Sequence, residues 1–123
     1  VDRALMDLQL ALDAPEHLAV LAQVADFVDI VEVGTPLIKR FGLSAIATVC
    51  QMVGDVPVLA DMKTADGGAV EAELAFRAGA MMMTVLSNAS PATHDAVHNL
   101  AVRHDASVVA DTIIDPPRRS SIS

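Results

Sequence analysis

The sequence has 123 residues, room for one small domain with a real core and short for two. A formal net charge of −8 and a pI near 4.6 repel polyanions, so nucleic acid is not an expected partner, whereas a small anionic substrate can still be met by a divalent cation or local amides. No apolar run approaches the roughly 20 residues of a membrane span, and the start VDRALMDLQLALD has acids where a signal peptide needs its apolar core. The expectation is a soluble, cytoplasmic protein. With hydrophobic residues at 53% and aromatics at 2%, the core must be built from Ala, Val, Leu, Ile and Met, as in helices packed on a sheet. The one cysteine, Cys50, lies in an apolar helical pattern and reads as a small buried hydrophobe, with no disulfide framework available within one chain.

In chain order, residues 8–13 (LQLALD) form a short apolar strand ending in Asp13. Ala14-Pro15-Glu16 opens a helix, with proline in the first turn, an acid at its positive end and Leu18, Leu21 and Val24 or Ala25 on its apolar face. Residues 28–34 (VDIVEVG) make the second strand, with Glu32 near its end, and Thr35-Pro36 reads as a helix cap followed by proline. Gly42 breaks that helix; a longer one runs from about Ser44 to Gly54, burying Leu43, Ile46, Ala47, Val49, Cys50 and Val53. The third strand, from Val56 to Ala60 with Pro57 early in it, ends in a charged cluster: Asp61, Lys63 and Asp66, then Gly67-Gly68. The alternation of side chains puts Asp61 and Lys63 on one side, with Asp66 beyond the strand on the turn. Residues 68–78 read as helix, with Val70, Leu74 and Ala78 inward and Glu71, Glu73 and Arg77 outward; 80–86 (AMMMTVL) is a fourth strand. Ser90 caps a helix that starts at Pro91 and buries Ala96, Val97, Leu100 and Ala101, and residues 107–111 (SVVAD) form a fifth strand ending in Asp111. Pro116-Pro117-Arg118-Arg119 can continue neither helix nor strand, so residues 116–123 read as a disordered tail after a domain at 1–115.

Strand alternates with helix and no hairpin signal interrupts, which defines an α/β protein with a parallel sheet. The repeat length is close to that of a (β/α)₈ barrel, whose eight units take about 250 residues. Asp13, Glu32, Asp61 and Asp111 all fall at the C-terminal strand ends, the edge where such folds bind ligands. Carboxylates gathered there repel one another unless cations offset them. Lys63 supplies one positive charge and Mg²⁺, with Glu32 and Asp61 as its ligand pair, the second; ordinary solvated strand ends with a surface salt bridge are the alternative. His94 and His98 have i, i+4 spacing but lack a third ligand nearby and read as solvated; Met81, Met82 and Met83 read as core filling. Gly67-Gly68 opens a helix that could approach a phosphate, without a G-x-G-x-x-G spacing to support it.

The segments LALD (10–13), VEVGTPLI (31–38), LADMKTADGG (59–68) and FRAGAMMMTVL (76–86), in that order and spacing, resemble the 3-hexulose-6-phosphate synthases of the orotidine 5′-monophosphate decarboxylase superfamily. The D-x-K-x-x-D motif of Asp61, Lys63 and Asp66 is shared across that superfamily. V-E-x-G-T-P narrows the likeness to the synthases and the 3-keto-L-gulonate-6-phosphate decarboxylases, and VVADTII at 108–114 looks more like the synthases. The resemblance implies a Mg²⁺-dependent aldol reaction between formaldehyde and D-ribulose 5-phosphate, or its reverse. Lys63, Asp66 and Asp61 would be catalytic, Glu32 and Asp61 metal-binding, and Asp13, Glu32 and Asp111 substrate-binding. It also implies a homodimer in which Asp66 reaches the partner's site. The family's sixth strand and the phosphate-holding loops after its last two strands have no counterpart here, which implies a C-terminally truncated, partial barrel. A keto-sugar-acid phosphate decarboxylase and a non-catalytic barrel remnant are the alternative readings.

Overall fold

The computed structural model describes residues 6–114, so the tail expected at 116–123 and the domain limits at 1 and 115 lie outside the described residues. Five strands form one sheet: β1 (Gln9–Leu12), β2 (Ile30–Val33), β3 (Val58–Thr64), β4 (Met82–Leu86) and β5 (Ser107–Asp111). They are all parallel and lie side by side in chain order. Between them run α1 (His17–Val24), the pair α2 (Thr35–Phe41) and α3 (Ser44–Val53), α4 (Gly68–Arg77) and α5 (Pro91–Arg103). This is a partial (β/α)₈ barrel, five parallel strands with covering helices.

The core follows from the period of two along each strand. Leu12, Val31, Val33, Val58, Ala60, Met83 and Val85 point to the helical layer and join Leu21, Leu37, Ile46, Val49, Ala72 and Val97 in one cluster. The alternate residues, among them Glu32, Leu59, Asp61 and Thr84, line the opposite face. Gly42 separates α2 from α3, as expected, and Gly54 ends α3, both at positive φ. Ser90 caps α5 by accepting from the Thr93 amide, also as expected.

Four local expectations are corrected. Ala14-Pro15-Glu16 is a turn, and α1 begins only at His17, whose Nδ1 accepts from the backbone amides of Asp13 and Ala14. Gly34, not Thr35, is the N-cap of α2; the Thr35 hydroxyl is drawn away to donate to the Asp61 carbonyl at 2.5 Å. Pro57 stands before β3 rather than in it, and Met81 is exposed ahead of β4 while Met83 is fully buried.

The largest correction is the face of α4. Gly68, Ala72, Ala75 and Phe76 point inward, while Val70 is 67% exposed and Leu74 44% exposed. The reason is the closeness of approach: a Cβ on Gly68 would sit 2.8 Å from the Thr93 carbonyl and 2.9 Å from Val97 Cγ2. A side chain at Gly68 has no room against α5, and the inward face that starts there runs through Ala72, Ala75 and Phe76, which turns Val70 and Leu74 out. Glu71, expected to be solvated, instead accepts the Thr64 hydroxyl at 2.6 Å and ties the start of α4 to the end of β3.

Candidate active site

The parallel register brings the strand-end acids level. Glu32 pairs with Leu59 across β2 and β3, and Asp61 follows two residues further along the same face. Lys63 is where simple alternation fails. From Ala60 to Thr64 the strand advances four residues while β4 advances two, from Met83 to Val85, so residues 61–63 bulge opposite Thr84 alone. Lys63 has φ +46, uncommon for a non-glycine residue. The expected meeting of Asp61 and Lys63 does occur, but the bulge accompanies it.

The Lys63 Nζ lies 3.1 Å from Asp61 Oδ2 and 2.7 Å from Asp111 Oδ2. It thus bridges β3 and β5 over the intervening strand. The hydrogen bond to Asp111 holds the Lys63 ammonium above the ordinary lysine range, and the same bond holds the Asp111 carboxyl below its usual range. The second oxygen of Asp111 accepts the Ile113 amide at 3.0 Å. Asp61 Oδ1 accepts the Thr84 hydroxyl at 2.7 Å.

Glu32 forms the other half of the cluster. Its carboxyl is pushed up, first by burial and then by the charges of Asp61 and Asp13, while Gln9 Nε2 donates to Oε1 at 2.8 Å and opposes the shift. Asp13 is placed by Gly34. A Cβ there would fall 1.8 Å from Asp13 Oδ1 and 2.7 Å from the Leu12 carbonyl, whose oxygen accepts the Gly34 amide at 2.7 Å. Gly34→Ala must therefore displace backbone as well as the carboxylate. A loss of about 1–3 kcal/mol is expected, read as a lowered thermal unfolding midpoint.

Asp61, Lys63 and Asp111 are thus joined, and Glu32 and Asp13 lie within their electrostatic reach. Asp66 is exposed on the turn before α4, and among the described residues no hydrogen bond or ion pair links it to the cluster. His94 Nε2 lies 3.2 Å from the Ser87 carbonyl, and His98 is exposed. Sequence reasoning missed Thr84, Gln9 and Gly34. Thr84 is the one polar residue in AMMMTVL and faces the same side as Asp61, a signal that strand register alone could have raised.

Fold and cluster together define a (β/α)-barrel protein with a carboxylate–lysine centre at the C-terminal edge of its parallel strands. Within that class, the chain belongs to the orotidine 5′-phosphate decarboxylase / HUMPS family, which it matches over residues 6–117. It is 45% identical over 111 residues to the 3-hexulose-6-phosphate synthase of Mycobacterium gastri, a match covering 88% of this chain and 54% of that protein. The solved 3-hexulose-6-phosphate synthase of Salmonella typhimurium superposes with a TM-score of 0.85 at 40% identity, over 90% of this chain and 55% of that one. The 3-keto-L-gulonate-6-phosphate decarboxylase of Vibrio cholerae superposes with a TM-score of 0.81 at 36% identity, over 83% and 49%. The chain spans about half the length of the curated relatives it matches. No helix among the described residues is long and apolar enough to cross a membrane.

Proposed function

We propose that this chain serves a cytoplasmic aldehyde-lyase of the 3-hexulose-6-phosphate synthase type, joining formaldehyde to D-ribulose 5-phosphate to give a hexulose 6-phosphate, or running the reverse. The observation that carries the reading is the Lys63 ammonium held between Asp61 and Asp111 at the ligand-binding edge of the sheet. The relatives favour synthase over decarboxylase, with higher identity to the former.

The donor chemistry suits Mg²⁺. Glu32 and Asp61 offer hard carboxylate oxygens on adjacent strands, and Glu32 is held up partly by the Asp61 charge, which a dication would offset. No group of three or more His, Cys, Asp or Glu side chains forms a cage among the described residues. Mg²⁺ rarely needs one, since it usually takes one or two carboxylates and fills its remaining positions with water and substrate oxygens. Bound there, it would supply Lewis acidity to the ketose oxygens.

The chain's own residues do the rest. In an aldol condensation a carboxylate of the cluster would take the proton next to the ketose carbonyl, and the resulting carbon attacks formaldehyde to form a carbon–carbon bond and an alkoxide. Lys63, kept as an ammonium, faces the developing negative charge and has a proton for the alkoxide. Asp13 and Asp111 would orient the sugar hydroxyls. Asp66, exposed and apart from the cluster, is free to serve a partner's site in a homodimer. The exposed Val70 and Leu74, about one and two turns beyond Asp66, suit that interface. Val70→Lys with Leu74→Lys is expected to halve the sedimenting mass, and a monomeric parent chain would remove the dimer from the proposal.

The test is an assay of formaldehyde consumption with ribulose 5-phosphate and Mg²⁺. Carbon dioxide release from 3-keto-L-gulonate 6-phosphate, with no formaldehyde fixed, would select the decarboxylase reading. Folded chain that turns over neither substrate would leave a non-catalytic barrel remnant.

A further inference from the structure

We propose that Thr84 is a positioning residue that sets both the Asp61 carboxylate and the Lys63 backbone through one buried hydroxyl. The inference builds on the assignment of Asp61 and Lys63 as reacting groups. The geometry itself stands without that assignment.

A threonine hydroxyl has one proton to give and two lone pairs. The Thr84 proton goes to Asp61 Oδ1 at 2.7 Å, and its oxygen accepts the Lys63 backbone amide at 2.8 Å. Those two bonds reach the first and last residues of the bulge that opposes Thr84 on β3. Without the hydroxyl, the Lys63 amide, in a segment that has left the regular ladder, would lose this acceptor, and Asp61 would lose a donor. Residue 84 is 6% exposed, so little water is at hand to replace either bond. The Lys63 amide also orients the hydroxyl: by occupying a lone pair of the oxygen it leaves the proton to point at Asp61. Asp61 Oδ2 is then left facing the Lys63 ammonium at 3.1 Å. A single side chain on the neighbouring strand thereby couples the left-handed turn at Lys63 to the carboxylate that pairs with its amine.

Thr84→Val removes the hydroxyl with little change in shape, and Thr84→Ser keeps it. Amide hydrogen exchange of the 123-residue chain is measured by NMR at Lys63, with the Val31 and Gly34 amides as references for general loosening. In Thr84→Val, exchange at Lys63 is expected to quicken by about tenfold relative to the references, and Thr84→Ser is expected to restore protection. The formaldehyde-fixing assay adds a second readout: kcat falls about 10–100-fold in Thr84→Val, KM changes little, and Thr84→Ser recovers most of the rate. Unchanged exchange at Lys63, loosening shared equally by the references, or a parental kcat in Thr84→Val each overturns the inference. If the parent chain fixes no formaldehyde, the functional reading falls, and exchange at Lys63 alone decides the role of Thr84.

Discussion

Lys63→Ala is expected to lower formaldehyde fixation by about 10²–10³-fold, the usual cost of removing one group that stabilises charge in the transition state. Substrate binding should weaken far less, because Asp13 and Glu32 on the other side of the cluster are untouched. The fold should survive: the Lys63 side chain is 32% exposed and the core beneath β3 is apolar. Asp61 and Asp111 nevertheless lose their common counter-ion, and Asp111 loses the main cause of its lowered carboxyl, keeping only the Ile113 amide. The pH dependence carries a further signature. A lysine whose folded pKa is raised contributes stability that is present below 10.5 and lost as pH rises through the higher folded value. Asp111, lowered from 3.8, contributes stability present above that value and lost as pH falls through the lower one. The pair therefore supports a plateau across the neutral range. Activity that needs the ammonium should likewise persist up to the ordinary lysine range and beyond it, and Asp111→Asn should bring the alkaline limb down. A parental rate in Lys63→Ala would remove the amine from the mechanism, whatever the metal does.

The architecture was open to sequence reasoning because each strand carries a short aliphatic run and every helix after α1 begins or ends at Pro, Ser or Gly. Residues 30–33 are an example: the buried Val31 and Val33 flank Glu32 in strict alternation, and the order of strands in a parallel sheet with no hairpins leaves few choices. The acids at 32, 61 and 111 could be placed at one edge for the same reason. What stayed hidden depends on spacing between elements rather than along them. The inward face of α4 is set by how near α5 comes, and nothing in GGAVEAELAFR says that Gly68 rather than Val70 meets Thr93. The bulge at 61–63 is likewise a mismatch between two strands and invisible in either one. Thr84 was passed over as one residue of an apolar strand because its value lies in what stands opposite it. Thr35 looked like a cap by residue type, yet its hydroxyl serves the Asp61 carbonyl instead.

Removal of the cation is the second large expected effect. With Mg²⁺ at about 100 times its dissociation constant, linkage adds about 2.7 kcal/mol to the folded state. At about 4 °C per kcal/mol for a domain between the 100- and 150-residue classes, the thermal midpoint should rise by about 10 °C over the chelated protein. Glu32→Gln and Asp61→Asn should each abolish that rise and the formaldehyde-fixing activity together. Loss of the response in Glu32→Gln would not reflect a damaged fold. In the chelated protein the carboxyl is held up by burial and by repulsion from Asp61 and Asp13. A carboxyl raised from 4.5 costs stability as pH climbs through that value to the higher folded one, and the neutral amide escapes that cost. The chelated variant should therefore melt at or above the chelated parent at neutral pH, with the side chain of residue 32 still within reach of Gln9. A Mg²⁺-dependent rise that persists undiminished in both variants would place the ion elsewhere and leave Glu32 as a strand-end acid without a metal role.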